Sequence, residues 1–459
     1  MNQQGVRWTA EQVLALAPDD ASRKAGGRLA AAGPWSQGGC DNSSVWGLCE
    51  GGGGSPYRTV VDTGGLGFRC SCPSRKFPCK HALGLLLLWA TDERAVPQGE
   101  APEWAAPWLE ERRARAGRKE EGDAPAQTRT ADPEAARRRA ERRAERVTAG
   151  ATELEQRLAD LLRGGLAAAE RPGYGLWEET AARMVDAQAP GLAGRVRELG
   201  AIPGTGPGWP VRLLEECALL HLLDRAWLGR DGLPEPLAAT VRARVGLPAS
   251  PQGPPVRDLW RVLAQYDTGD AKLTTRRIWL YGQESGRSAL LLDFGAAGRA
   301  PELGLPVGMA VDAELTPYPG GGQARAALGE RFGPPVAAGA PPPGGSTTAA
   351  LERYGRALRD DPWLDSCPAT LAGVVPIPPR NEEDTWQLAD TDGDFALPVA
   401  PGPVTRAGLW KLVALSGGGP TTVFGECGHR GFTPLAAWPT DEDEDGEKEG
   451  GGARTVRLL

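Results

Sequence analysis

The chain has 459 residues, 41% of them hydrophobic, with 63 Gly and 41 Pro, so it exceeds a single core and must alternate folded segments with loops. Its 52 basic and 59 acidic residues leave a net charge of −7, which argues against a protein that coats nucleic acid along its whole length. No basic-then-apolar leader opens the sequence, and the longest apolar run, Ala82 to Ala90, is far short of the ~20 residues of a membrane span. The expected setting is cytoplasmic, with no membrane partner.

Residues 1–33 carry a short helix through Val13, Leu14 and Leu16, with Thr9 as its N-cap and an apolar side that docks on the next module. Residues 34–92 form that second module, with its core at 57–91. Tyr57-Arg58-Thr59-Val60-Val61-Asp62 is rich in β-formers, and a turn at Gly64-Gly65 leads into Phe68-Arg69-Cys70-Ser71-Cys72. Gly51 to Gly54 lacks the G-K-[ST] ending of a phosphate loop and reads as a hairpin end. Cys40 and Cys49 read as packing cysteines.

Cys70, Cys72, Cys79 and His81 are spaced C-x-C-x6-C-x-H. On a strand, i and i+2 project from one face, so Cys70 and Cys72 present their sulfurs together. Pro73, Ser74 and Pro78 turn the chain back, and Cys79 and His81 then open a helix, where the positive dipole end favours a thiolate. Three thiolates and one imidazole make a closed tetrahedral site for one structural Zn²⁺, with no position left for water or substrate. Soft sulfur ligands exclude Mg²⁺ and Ca²⁺, and iron–sulfur clusters usually take four thiolates.

The helix from Ala82 shows no polar face until Thr91-Asp92-Glu93-Arg94, so it is buried and must be covered by the hairpin and the N-terminal helix, with or without a neighbouring domain. Arg58, Arg69, Arg75, Lys76 and Lys80 against Asp62 make residues 57–81 basic. Some of these cations offset the negative Cys₃His site. Arg75, Lys76 and Lys80, around the loop between the ligand pairs, are the candidate contacts for a partner or for nucleic acid.

Residues 93–150 are a charged, Arg-rich linker with a helix that starts at Pro133 and runs through Arg137 to Arg146. Residues 151–250 are a helical domain: Leu154, Leu158, Leu161, Leu162 and Leu166, then Trp177 to Gln188, Leu192 to Leu199 and Leu213 to Leu228, with His221 as a core histidine. Residues 255–335 are a mixed α/β segment, with a helix over Val256 to Tyr266 and a hairpin around Glu284-Ser285-Gly286 before a strand at Val307 to Leu315. A linker at Pro341 to Gly345 leads to a β-rich segment, 346–440, with strands near Trp386 to Leu388, Leu409 to Leu415 and Thr421 to Glu426. The pair Cys427 and His429 repeats the C-x-H spacing but cannot close a site alone. Residues 441–453 read as an acidic, disordered tail.

The text from Trp46-Gly47-Leu48-Cys49 to Cys79-Lys80-His81 resembles the SWIM-type zinc finger, in its bacterial, actinobacterial-like branch, with a weaker likeness near 178–194. The resemblance implies a small ββα unit with Cys70, Cys72, Cys79 and His81 as ligands, and binding of DNA or other proteins. The expected fold is therefore multidomain α+β: a zinc-stabilised ββα finger, a helical domain and a β-rich C-terminal region. With three histidines and no G-x-S-x-G, a catalytic set is not legible. The expected role is a non-enzymatic, protein-binding adaptor, and the alternative is DNA or RNA binding through the basic finger loop and the Arg-rich helix.

Overall fold

The computed structural model describes residues 7–51, 54–64, 66–74, 76, 78–120, 133–166, 169, 175–269, 273–296, 301–321, 324–381, 384–439 and 455–459. The chain opens with two short helices, α1 (Ala10–Ala15) and α2 (Asp20–Gly27). Thr9 caps α1 in a reciprocal capping box with Gln12, as its sequence predicts. Strands β1 (Trp35–Cys40), β2 (Ser44–Cys49), β3 (Tyr57–Asp62) and β4 (Gly67–Cys70) come next as one antiparallel meander. Helix α3 (Lys80–Thr91) packs across this sheet. The expected ββα unit is formed by β3, β4 and α3, and β1 and β2 extend its metal-bearing hairpin into a four-stranded sheet.

Every residue of α3 from His81 to Trp89 is buried. Leu83, Leu85, Leu86, Leu87 and Leu88 each contribute roughly 1.5–3 kcal/mol of burial free energy. Two glycines let the neighbours come close enough. A Cβ on Gly84 would meet Leu29 Cβ at 2.6 Å, and one on Gly47 of β2 would meet Leu85 at 3.0 Å and Trp35 at 3.1 Å. Val13 and Leu16 of the N-terminal segment join the same core.

The segment expected to be a linker supplies a second cover. Helix α4 (Ala106–Glu120) lays Trp108 and Leu109 on Trp46 and Val60, closing the other face of the finger sheet. Arg112 of α4 reaches Asp62 at 2.9 Å and Glu302 at 2.9 Å, and Arg113 reaches Asp41 at 2.6 Å. The Arg-rich run is not separate from the helical domain either. A single helix, α5 (Pro133–Gly164), crosses residue 150 without a break.

With α5, helices α6 (Gly175–Asp186), α7 (Pro190–Gly200), α8 (Trp209–Leu228) and α9 (Glu235–Arg244) form a bundle around Leu154, Met184, Leu192, Leu220 and Trp227. Two residues depart from expectation. Leu162 is exposed, and His221 is not in the core: it sits on the solvent face of α8 with Nδ1 2.6 Å from Glu155. Flanking leucines made it look buried, but on a helix its neighbours Leu220 and Leu222 point elsewhere.

The expected helix over 256–266 is instead strand β5 (Val256–Gly269), the centre of a six-stranded antiparallel sheet. It is paired on both edges, by β6 (Leu273–Gly282) and β8 (Met309–Pro317), and covered on both faces, so its apolar residues run together instead of alternating. Strand β7 (Ser288–Ala296) completes the expected hairpin, and β9 (Ala326–Arg331) and β10 (Val336–Ala337) pair with β8.

A third sheet holds β11 (Ser366–Ile377), β12 (Gln387–Asp390), β13 (Ala396–Pro398), β14 (Thr421–Gly428), β15 (Gly431–Trp438) and β16 (Val456–Arg457). Helix α10 (Thr347–Asp360) precedes it, and α11 (Arg406–Ser416) replaces the strand expected near Leu409 to Leu415. The acidic stretch 441–453 lies outside the described residues, but β16 pairs with β15, so its flanks are tied into one sheet and it is not a terminal tail.

The second sheet does not stand apart from the finger. Trp260, Val262, Ile278, Leu280 and Leu305 share one continuous core with α3, Gly67 forms a bridge to Leu303, and Arg331 donates to the Gly64 carbonyl. The third sheet is joined to the second through Glu426, which accepts from Tyr266 at 2.6 Å, Trp279 at 2.6 Å and Ser366 at 2.9 Å. No helix among the described residues is long and apolar enough to cross a membrane.

Candidate metal centre

Cys70 closes β4, Cys79 is the N-cap of α3, and His81 lies in its first turn. The intervening turn brings Cys72 back, and it is held by two hydrogen bonds that bracket Ser71: the Ser71 amide donates to the Arg58 carbonyl at 3.1 Å, and the Arg58 amide donates to the Ser71 hydroxyl at 3.0 Å. The four ligand atoms of Cys70, Cys72, Cys79 and His81 all lie within 4.8 Å of one another. A tetrahedron with metal–sulfur bonds of about 2.3 Å has edges of roughly 3.8 Å. The Cys70 Sγ to His81 Nδ1 separation of 3.7 Å fits that edge. Cys79 and His81 are buried, while Cys70 and Cys72 are half-buried at the rim.

The protonation chemistry of the set also fits a cation. Hydrogen bonds from Cys70 and Cys79 hold the Cys72 thiol far below its usual range. Donating to Cys72 pushes Cys70 up to about 11, and contact with Cys70 and Cys72 pushes Cys79 up as well. Three sulfurs this close cannot all ionise unless a metal supplies the balancing charge. The residues fit a Zn²⁺ ion held by three thiolates and one imidazole, which ties β4 to the mouth of α3.

Two residues of β3 touch this set and were not singled out from the sequence. The Thr59 hydroxyl lies 3.3 Å from Cys70 Sγ, and the Tyr57 ring stacks on His81 with centroids 4.7 Å apart. Their i, i+2 spacing on the strand beside Cys70 was the available signal.

Of the predicted contact residues, Arg75 lies outside the described residues. Lys76 is exposed and forms an ion pair with Asp19 Oδ2 at 2.5 Å. Burial pushes Asp19 up, but hydrogen bonds from Lys76 and from the Ser22 amide outweigh it and hold the carboxyl below its usual range. Lys80, Arg58 and Arg69 are exposed along the metal edge. Cys40 and Cys49 are fully buried, as packing cysteines should be. Cys427 is buried opposite Cys367 in the third sheet, and His429 is exposed beside Arg430, so that pair brings no ligands together. Among the described residues the Cys₃His set is the one group of three or more His, Cys, Asp or Glu side chains that could share an ion.

Fold and site together define a zinc-finger protein with a closed Cys₃His centre. Residues 57–90 match the SWIM zinc finger, and residues 142–245 match the SWIM-associated four-helix bundle domain. The chain therefore carries a SWIM zinc finger together with the bundle associated with it. A comparison with curated proteins and with solved structures found no match.

Proposed function

We propose that this protein is a non-enzymatic interaction module in which zinc holds together a scaffold that docks a protein partner. Four protein ligands fill the tetrahedral site, which leaves the metal no position for water or substrate. The observation that carries the reading is how the charge of the finger is disposed. Lys76 is engaged by Asp19, Arg112 by Asp62 and Glu302, and Arg113 by Asp41, so cations on and beside the finger serve contacts within the chain. None of the eight cysteines is in a disulfide, which suits the reducing cytoplasm.

A second reading, binding of DNA or RNA, draws support from Arg58, Arg69 and Lys80, which line the metal edge in solvent, and from the exposed start of α5 at Arg138, Arg139 and Arg142. Three phosphate contacts on a duplex would give a log–log salt slope of about −2.7. The test is a pull-down with the full-length protein from its native host, with and without nuclease, beside fluorescence anisotropy on duplex and single-stranded DNA. The adaptor reading expects a stoichiometric protein partner that survives nuclease and no salt-dependent DNA binding. Loss of the partner on nuclease treatment, with a slope near that figure, would replace it with the nucleic-acid reading.

A further inference from the structure

Strand β3 contributes no ligand to the metal centre, yet it borders it. Its burial alternates only at the start: Arg58 points to solvent, whereas Tyr57 and Thr59, two residues apart, share the face turned to the ligands. Thr59 is directly paired with Cys70 across the sheet and is completely buried. A buried hydroxyl needs a partner, and among the described residues the one it finds is Cys70 Sγ at 3.3 Å. Tyr57 lies half-buried over the His81 ring, 4.7 Å between centroids and tilted by 35°.

We propose that Thr59 and Tyr57 are the positioning residues of the zinc centre: the Thr59 hydroxyl donates to the metal-bound Cys70 thiolate, and the Tyr57 ring sets the plane of the His81 imidazole. A Cys₃His site carries one net negative charge once Zn²⁺ is bound, and it is set into a largely apolar core. A hydrogen bond to a thiolate draws part of that charge off the sulfur, offsets the cost of holding the anionic site in the core and fixes the ligand's direction, so losing it weakens metal binding. Among the described residues no basic side chain is hydrogen-bonded to Cys70, and Lys76 is turned to Asp19. Thr59 acts from inside the sheet instead, where the strand register fixes it. Tyr57 acts sterically: with one ring face of His81 covered, the imidazole holds Nδ1 towards Cys70 at 3.7 Å.

The experiment uses the full-length protein. Thr59→Val keeps the shape and removes the hydroxyl, and Thr59→Ser keeps the hydroxyl. Zinc affinity, measured by competition against a chromophoric chelator, should fall roughly ten- to a hundredfold in Thr59→Val and stay near wild type in Thr59→Ser. With Co²⁺ in place of zinc, the thiolate-to-cobalt charge-transfer band should move to longer wavelength in Thr59→Val and return in Thr59→Ser. Tyr57→Leu should release metal faster, and Tyr57→Phe, which keeps the ring, should not. A Thr59→Val protein that melts at a lower temperature but keeps both the affinity and the cobalt band would show a packing role only and overturn the assignment. If Thr59→Val does not fold, ¹¹³Cd-loaded wild type decides. A scalar coupling from cadmium to the Thr59 hydroxyl proton is expected, and its absence beside intact Cys70 Hβ couplings would refute the hydrogen bond.

Discussion

Helix α3 of the finger buries every residue from His81 to Trp89, whereas α8 of the bundle buries Leu213, Cys217, Leu220, Leu223 and Trp227 and leaves Val211, Leu214, His221 and Leu222 in solvent. The bundle helices are two-sided and complete a core among themselves, into which, among the described residues, the rest of the chain inserts only Trp363. The finger helix is enclosed by others: α1 and α2, the finger sheet, and the second sheet, whose Trp260, Val262 and Leu280 belong to the same core. A helix apolar all round has no stable exposed state, so its position must be secured from its end. The metal does that at Cys79 and His81, while the bundle needs no such anchor. Zinc removal is therefore expected to loosen the finger and the second sheet together and to leave the bundle folded.

The largest expected effect breaks or keeps this division. A strong chelator removes a contribution on the order of 10 kcal/mol. Hydrogen exchange followed by mass spectrometry should then show lost protection in α3, in β2 to β4 and in β5 to β8, with α6 to α8 still protected. Equal loss in the bundle would mean that the two regions are one cooperative unit.

The bundle has its own sensitivity, to pH. Asp224 of α8 is fully buried, and neither of its oxygens has a hydrogen-bond partner among the described residues. Burial, helped by the nearby Glu155 carboxylate, pushes its carboxyl up to about 8 from 3.8. A raised carboxyl binds its proton in the folded state when the unfolded chain has already lost it. Stability of the bundle should therefore fall as pH rises from about 4 to about 8 and level off above, by an upper limit on the order of 5 kcal/mol. Asp224→Asn should flatten that slope in bundle-specific exchange and raise bundle stability at alkaline pH. An unchanged slope would remove Asp224 as its cause.

A matched pair of cavities sharpens the contrast further. Leu86→Ala in α3 and Leu220→Ala in α8 each delete a fully buried side chain and should cost about 2–5 kcal/mol locally. Only Leu86→Ala should also weaken zinc retention, because only α3 is coupled to the metal. If both variants, or neither, shift zinc affinity in the chelator competition, the coupling is misplaced.

The metal centre was legible because its ligands lie within twelve consecutive residues, from Cys70 to His81, and their chemistry is set by type and spacing. The buried nature of α3 was legible for a similar local reason, an apolar run with no polar face. What failed was tertiary. Strand β5 lost its alternation because neighbours cover both faces, and so looked helical. The short apolar α11 looked like a strand, although Thr405 caps its start by accepting from the Gly408 amide and Gly417 ends it at φ 57. Helix α4 looked like solvated linker because its charges hide the apolar pair Trp108 and Leu109. Thr59, Tyr57 and Asp19 reach the site from other segments, and ligand spacing does not report on them.

One zinc ion held by Cys70, Cys72, Cys79 and His81 underlies this division of the molecule, and elemental analysis tests it most directly. Purified wild type should carry one zinc per chain, and Cys72→Ser and His81→Ala should each retain well under half of it after dialysis against a mild chelator. Equal zinc in all three proteins would contradict the assignment of the site.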